Sequence, residues 1–346
     1  MKLGLNLGYW GGGTQSDTIA LAREADRLGY SVVWAAEAYG SDVPTVLSWV
    51  GALTERIDLG AAVMQIPARS PAMTAMTAAT LDTLSGGRFR LGLGVSGPQV
   101  SEGWHGVRFD KPLGRTREYV DIVRSALRRE RVRYDGAHYQ LPLPGGPGKA
   151  LTLTVHPVRE HIPLYLAAVG PKNLELTGEI ADGWLAIFFS VEHSTGSLAA
   201  LAAGRARSAL TEPLDVVATV PLVVSDDIAA AADVIRPYCA LYVGGMGSRE
   251  QNFYNDLAVR MGFADAAAEV QSRYLSRDYT GAAAAVPQEF VDATSLLGPV
   301  GRIADRMQAF AAAGVTTLSV QPQAADLAGR LAVLRSAVDA AERAGV

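Results

Sequence analysis

Cysteine is nearly absent from this 346-residue chain, since Cys239 is the only one. A single thiol excludes an internal disulfide and a metal site built from several thiolates, and it is typical of a reducing compartment. Long apolar runs are also missing, because nothing approaches the roughly 20 apolar residues of a membrane span. The opening MKLGLNLGYW lacks the charged and apolar regions of a signal peptide. We therefore expect a cytoplasmic protein without a membrane partner.

An excess of positive charge is missing as well. The formal net charge is −4 at pH 7, so no basic surface is expected to bind nucleic acid. The five histidines show no spacing typical of metal ligands, and we predict no metal site. A small-molecule partner remains.

What the chain does contain is a repeated order of helix, glycine and buried strand. Apolar residues share one helical face within residues 17–28, Gly29 follows, and Val32–Ala35 is a short apolar run. Collecting such runs predicts strands near residues 3–7, 32–35, 57–64, 89–94, 163–168, 183–187, 215–224 and 315–320. Eight strands that alternate with helices predict an α/β fold, a (β/α)8 TIM barrel. An open doubly wound sheet is the alternative, because eight strands alone do not require closure.

Two longer segments interrupt this order, at about residues 95–162 and 237–297. They follow the predicted strands 4 and 7, where barrel enzymes carry the loops that cover their sites. The chain exceeds a bare barrel of roughly 250 residues but is short for two full α/β domains. We therefore predict one domain over residues 1–346, with insertions after strands 4 and 7.

The segment GLGVSG at residues 92–97 has the spacing of a dinucleotide-binding loop. That interpretation requires a helix to begin at the glycines, and we expect none there because PQVSEG lacks apolar periodicity. A strand end without side chains, where a flat ring can lie against the backbone, fits better. A plain tight turn explains the segment equally well. The serine-hydrolase pattern is not completed, because Pro98 stands where it requires glycine.

A second segment, residues 168–173, reads AVGPKN and lies between a predicted strand and a helix. Pro171 suits the first helical turn, and the free N–H groups of Gly170, Lys172 and Asn173 would form an anion site reinforced by the lysine. An ordinary helix start with a solvated lysine is the alternative. The position after strand 5 favours a site, because barrel active sites lie at this end.

Side chains that could move protons or form walls follow the strands. Glu37 directly follows the second strand, as a proton-transfer group or as a cap of the next loop. Glu102 and His105 follow the fourth strand with Trp104 between them, and the imidazole is the more natural acid or base near neutral pH. Trp10 and Trp104 are predicted to form apolar walls for a substrate.

Taken together, several segments carry a family likeness over almost the whole chain. They are MKLGLNLGYWG, AEAYGSD, LGAAV at residues 59–63, TLDTLSGGRFRLGLGVSGPQVSEGWHG, RTREYVDIVR and AAVGPKNLELTGEIADGW. The sequence resembles the luciferase-like barrel enzymes, and most closely their actinobacterial branch that depends on coenzyme F420.

The resemblance implies positions for the coenzyme. A cis peptide bond in a bulge of strand 3 would support the deazaflavin ring, and the matching residues are Ala62 and Val63. The ring edge would contact Val95 and Ser96. The coenzyme phosphate would lie on the loop after strand 5, formed by Ala168, Val169, Gly170, Pro171, Lys172 and Asn173.

The same resemblance implies the activity, which is hydride transfer between F420 and a C=C, C=N or C=O bond of a small metabolite, in a homodimer. The F420-dependent sugar-phosphate dehydrogenases place an acidic residue where this chain has Ser96-Gly97-Pro98, so Glu102 or His105 is expected to take the proton-transfer role. An FMN-dependent monooxygenase and a non-catalytic flavin-binding protein are the alternatives.

Overall fold

The computed structural model describes residues 1–9 and 15–346, and the side chains of these residues apart from 9, 15 and 16. In the described part of the chain, eight parallel strands close into a barrel. They are β1 (Lys2–Tyr9), β2 (Val32–Ala36), β3 (Asp58–Ala61), β4 (Phe89–Gly94), β5 (Leu164–Ala167), β6 (Gly183–Ile187), β7 (Asp215–Val224) and β8 (Thr317–Pro322). Each strand pairs with the next, and β8 pairs with β1 through Lys2↔Thr317 and Leu5↔Val320. The predicted TIM barrel is confirmed, and closure excludes the open sheet.

Helices cover the outside of the barrel and form the two insertions. Their bounds are α1 (Gln15–Arg27), α2 (Val43–Ala52), α3 (Pro71–Leu84), α4 (Pro98–Gly103), α5 (Pro112–Leu127), α6 (Pro171–Ile180), α7 (Thr195–Arg205), α8 (Ile228–Ala240), α9 (Phe253–Arg260), α10 (Ala264–Leu275), α11 (Tyr279–Ala284), α12 (Gln288–Ala293), α13 (Val300–Ala312) and α14 (Leu327–Ala344). Short strands Tyr134–Asp135 and Gln140–Leu141 form a hairpin, and Leu296–Gly298 pairs with β7. Within residues 1–9 and 15–346, no helix combines the length and hydropathy needed to cross a membrane.

The predicted insertions follow β4 and β7, as expected. The second insertion runs from α8 through a π-helical turn at Leu241–Gly245 to α12. It has an apolar core of its own, which includes Ile235, Val270 and Phe290 and joins the barrel at Phe188. This core explains how a segment whose sequence looks polar can fold over one end of the barrel.

One local prediction was wrong. A helix does begin after the glycines of residues 92–97, because Gly97 is the N-cap of α4 and the amide of Ser101 donates to the carbonyl of Gly97 at 2.9 Å. The helix has six residues, and its apolar periodicity is absent because Ser101 is its one buried side chain.

Candidate active site

A bulge in the third strand forms one wall of the barrel mouth. Gly60 pairs with Arg90, whereas Met64 pairs with Leu93, so the third strand uses one residue more than the fourth over this stretch. The peptide bond between Ala62 and Val63 within the bulge is cis. The amide of Ala62 donates to the carbonyl of Ala35 at 2.8 Å, which ties the bulge to β2.

The glycines of β4 make room for this bulge. A Cβ atom on Gly92 would lie 1.8 Å from the carbonyl oxygen of Ala61, and one on Gly94 would lie 2.7 Å from a methyl group of Val63. The first contact is with backbone, which cannot move aside cheaply. The glycine-rich strand end is therefore required by its neighbouring strand, a reason different from the expected approach of a ligand ring to bare backbone.

Glu37 anchors the bulge from the β2 side. Its buried carboxylate receives two bonds from Arg69, of 2.9 and 2.6 Å, and backbone bonds from Val43 at 3.2 Å and Gln65 at 3.0 Å. Burial would lower the pKa of Arg69, but its bonds to Glu37 and Asp42 hold that pKa above its usual value. The Glu37 carboxylate accepts four hydrogen bonds, and a proton on it would displace one of the four donors. We therefore interpret Glu37 as a residue that positions its neighbours.

The bulge is also tied to the loop after β4. The Ser96 hydroxyl donates to Oε1 of Gln65 at 2.9 Å, and the Gln65 amide donates to the carbonyl of Ala38. Ser96 has a φ of 62°, which places its backbone in the left-handed region. Sequence reasoning missed Gln65 and Arg69, although both follow the LGAAV segment within eight residues.

On the adjacent side of the mouth, α6 begins at the loop after β5. Gly170 is the N-cap and Pro171 the first helical residue, so the first amides of α6 point out of the helix without intrahelical acceptors. Lys172 lies exposed in this first turn. A guanidinium from the second insertion, that of Arg260, donates to the carbonyl of Val169 at 3.1 Å. The sequence did not single out Arg260, since it is remote along the chain.

These walls surround one cavity of about 790 Å³ at the carboxyl ends of the strands. Its lining falls into three groups. The barrel contributes the bulge, the loops after β2 and β5 and neutral side chains of β1, β6, β7 and β8. The first insertion contributes Val95, Ser96, Gly97, Gln99, Val100, Pro112 and Leu113, and the second contributes Tyr238, Leu241, Tyr242, Met246, Phe253 and Tyr254. The volume lies in the upper part of the range of roughly 300–1,000 Å³ for small-molecule sites.

The profile of the luciferase-like monooxygenase family matches residues 7–317. The chain belongs to this family.

Two luciferase-like relatives and one solved structure are similar to the chain. A Mycobacterium tuberculosis protein, named as a coenzyme F420-dependent oxidoreductase, is 46% identical over 342 residues, which is 96% of this chain and 99% of that protein. A 5,10-methylenetetrahydromethanopterin reductase of Archaeoglobus fulgidus is 30% identical over 304 residues, 84% of this chain and 85% of the reductase. The coenzyme F420-dependent tetrahydromethanopterin reductase of Methanopyrus kandleri superposes with a TM-score of 0.81 at 22% identity, covering 97% of each chain, and shows the fold.

Most residues singled out in the sequence meet at the cavity of this luciferase-like chain. The residues that line it are Glu37, Ala62, Val63, Val95, Ser96 and all six residues from Ala168 to Asn173. Their convergence follows from closure, because the ends of eight parallel strands share one rim.

Glu102, Trp104 and His105 do not line the cavity. Glu102 accepts a bond from the amide of Phe109 at 2.9 Å, and Trp104 is 68% exposed. The structure therefore gives no geometric support to the roles predicted for these three residues. Trp10 lies outside the described residues.

Proposed function

We propose that this luciferase-like protein is a coenzyme F420-dependent oxidoreductase that transfers a hydride between the deazaflavin and a C=C, C=N or C=O bond of a small organic metabolite. The observation that supports this proposal is one cavity, lined by the Ala62–Val63 bulge on one side and by the free amides at the start of α6 on the adjacent side. The F420 relatives, at 46% and 30% identity, agree with that class.

The residues present fit such a coenzyme. Ala62 and Val63 offer a small apolar surface against which one face of a tricyclic ring can pack, and the adjacent Gly94 cannot carry a larger side chain. The amides of Lys172 and Asn173 with the Lys172 ammonium would hold the phosphate. When bound, the coenzyme supplies or accepts a hydride.

The protein's part is then to position the reactants. Glu37 and Arg69 fix Gln65, and Gln65 fixes Ser96, so the bulge and the β4 loop keep one geometry beneath the ring. The insertions cover the mouth and exclude water from the transfer. We infer a positioning role for Glu37 and assign no role to Glu102 or His105.

Titration of the purified protein with F420 and with FMN, followed by fluorescence, tests the proposal. We expect saturable binding of F420. Tight FMN binding without F420 binding would instead support the FMN-dependent monooxygenase, which the family description favours as second candidate. Binding of F420 without turnover of any metabolite in a broad panel would support a non-catalytic flavin-binding protein. The homodimer is a proposal too, which light scattering of the purified protein tests.

A further inference from the structure

Charge is scarce in the cavity. Among its described lining residues only Glu37 and Lys172 are charged, and residues 10–14, which read WGGGT, add no charged side chain. Glu37 is neutralised by Arg69, and Lys172 lies at the β5 loop beside the proposed phosphate position. No charged group is therefore left to bind the second reactant.

Neutral polar groups stand where that reactant would bind. Asn6, Thr219 and Gln321 belong to β1, β7 and β8 and line the cavity. In a closed eight-stranded ring β7 and β8 lie across the mouth from the bulge between β3 and β4, and β1 adjoins β8. Oδ1 of Asn6 accepts the amide of Gly8 at 2.6 Å, which leaves the Asn6 NH2 group to donate. Amide and hydroxyl groups recognise oxygen or nitrogen atoms without requiring charge.

Aromatic rings from the second insertion cover the same side. The ring centroids of Tyr238 and Tyr242 are 4.9 Å apart, as are those of Tyr242 and Tyr254. Phe253 extends this wall and approaches Phe109 of the first insertion at 6.3 Å between centroids. The two insertions thus meet over the mouth, and the wall favours a ligand with flat or cyclic apolar surface.

An ionised ligand would enter this space at a cost. Moving an isolated carboxylate or ammonium from water into an apolar site is unfavourable by several kcal/mol unless a partner charge compensates. The second insertion lines the cavity with aromatic rings, Met246 and Leu241, and the strands line it with neutral polar groups. An uncharged ligand loses only hydrogen bonds that Asn6, Thr219 and Gln321 can replace.

We propose that the substrate is an uncharged organic molecule with a ring-bearing apolar body, held by neutral hydrogen bonds from β1, β7 and β8 beneath the tyrosine wall of the second insertion. This inference rests on the proposed function, because it places the substrate opposite the bulge that carries the coenzyme. Phosphorylated and carboxylated metabolites are excluded by it.

Matched ligands that differ in charge test the proposal. 4-Methylacetophenone and 4-acetylbenzoate share a ring and a ketone but carry a methyl group or a carboxylate, and a cyclohexanone pair with the same substituents widens the comparison. Binding to the F420-loaded protein is measured by calorimetry, which needs no turnover. We expect each neutral ligand to bind at least about tenfold more tightly than its charged partner. The proposal is wrong if no neutral ligand does so.

A positive charge placed in the part of the cavity formed by the second insertion should reverse the preference for neutral over carboxylated ligands. Met246→Lys puts an ammonium into the cavity with little change of side-chain length, and we expect carboxylate binding to rise about tenfold. Met73→Lys is the control, because Met73 is 49% exposed on α3. This substitution should change the affinity for neither ligand. F420 affinity is measured separately for both variants, ligand binding is compared at saturating F420, and Met73→Lys should leave F420 affinity unchanged. Loss of F420 binding in the unaltered chain would instead contradict the proposed function.

Discussion

The two ends of the barrel use charge in opposite ways. At the amino ends of the strands, Arg90 lies 8% exposed between Asp58 and Asp215, at 2.7 and 3.5 Å. At the carboxyl ends, the cavity holds no charged residue other than Glu37 and Lys172 in the described lining. Paired charged side chains fill the amino end of the barrel, whereas the carboxyl end holds the cavity that we propose for an organic ligand.

The charged end is a connected network. The Tyr165 hydroxyl donates to Asp215 at 2.9 Å, and Thr317 donates to the same carboxylate at 2.9 Å. Burial first, and then the nearby Asp215, raise the pKa of Tyr165, so its hydroxyl stays protonated. Together with Arg90 and Asp58, these contacts join five strands, β3, β4, β5, β7 and β8. The network fills the amino end of the barrel, at the opposite end from the cavity.

The difference predicts that ionic residues at the amino end matter for stability and little for binding. Arg90→Leu leaves two carboxylates facing each other, and breaking a buried ion pair in this way typically costs about 3–5 kcal/mol. We expect a loss of that size in the free energy of unfolding, measured with urea. The affinity of the folded protein for F420 should not change.

Arg343→Leu is the matched control, because Arg343 pairs with Asp339 at the surface of α14 and is 58% exposed. It should leave the free energy of unfolding almost unchanged, because an exposed ion pair contributes little to stability. Equal effects of the two substitutions would remove the distinction between the amino end and the surface.

At the mouth, the largest effect is expected from Glu37→Gln. One of its oxygens becomes an NH2 group that faces donors from Arg69 and from Val43 or Gln65, and such a buried mismatch costs about 1–3 kcal/mol. The bulge should shift, and F420 affinity measured by fluorescence should fall together with stability.

His105→Gln is the matched control, since His105 lies in the segment after β4 but does not line the cavity. F420 affinity should stay within twofold of the unaltered protein, a change of less than about 0.5 kcal/mol. A large loss with His105→Gln and none with Glu37→Gln would restore the roles expected from the sequence.

The barrel and the places of its two insertions were accessible to sequence reasoning, but the internal structure of the insertions was not. Each strand of a parallel barrel is a buried apolar run, and the predicted runs agree with the eight strands within two residues at nearly every end. Glu37, Ser96 and Lys172 could be located because they directly follow such runs. Their convergence required only closure.

The remaining site residues depend on tertiary contacts that leave no local pattern. Arg260 reaches Val169 from 91 positions away, and Tyr242 reaches the cavity only because the second insertion folds on Phe188. Helix α4, which carries Glu102 and precedes His105, could not be recognised from the sequence, because six residues with one buried side chain show no apolar periodicity. The glycines of β4 were noticed, but the backbone they accommodate belongs to another strand.

A smaller effect at the mouth is expected from Lys172→Met. If Lys172 strengthens an anion site at the start of α6, its loss should weaken F420 binding roughly tenfold, or about 1.4 kcal/mol. Added salt should reduce the difference, because exposed charges are screened. Lys149→Met, in an exposed loop of the first insertion, should bind F420 as the unaltered protein does. A salt-independent loss would show that the lysine acts through packing instead.

The smallest effect on stability is expected from a contact that lies at neither end of the barrel. It joins Glu24 of α1 to Arg335 of α14, the first and last helices around the barrel. A hydrogen bond from Arg27 lowers the pKa of Glu24 to about 2, with burial opposing it and Arg335 of α14 adding to it. Because the folded pKa is depressed, this stabilisation is present above the ordinary value of 4.5 and is lost as pH falls towards 2.

Glu24→Gln should therefore lower the free energy of unfolding by about 1 kcal/mol or less near neutral pH, and the two proteins should converge as the pH falls towards 2. Urea unfolding across this range measures the difference. Glu130→Gln is the control, since Glu130 pairs with Arg128 only two residues away and joins no separate elements. If the difference between Glu24→Gln and the unaltered protein persisted unchanged into acid, packing rather than charge would account for the contribution of Glu24, and the contact between α1 and α14 would not depend on its ionisation.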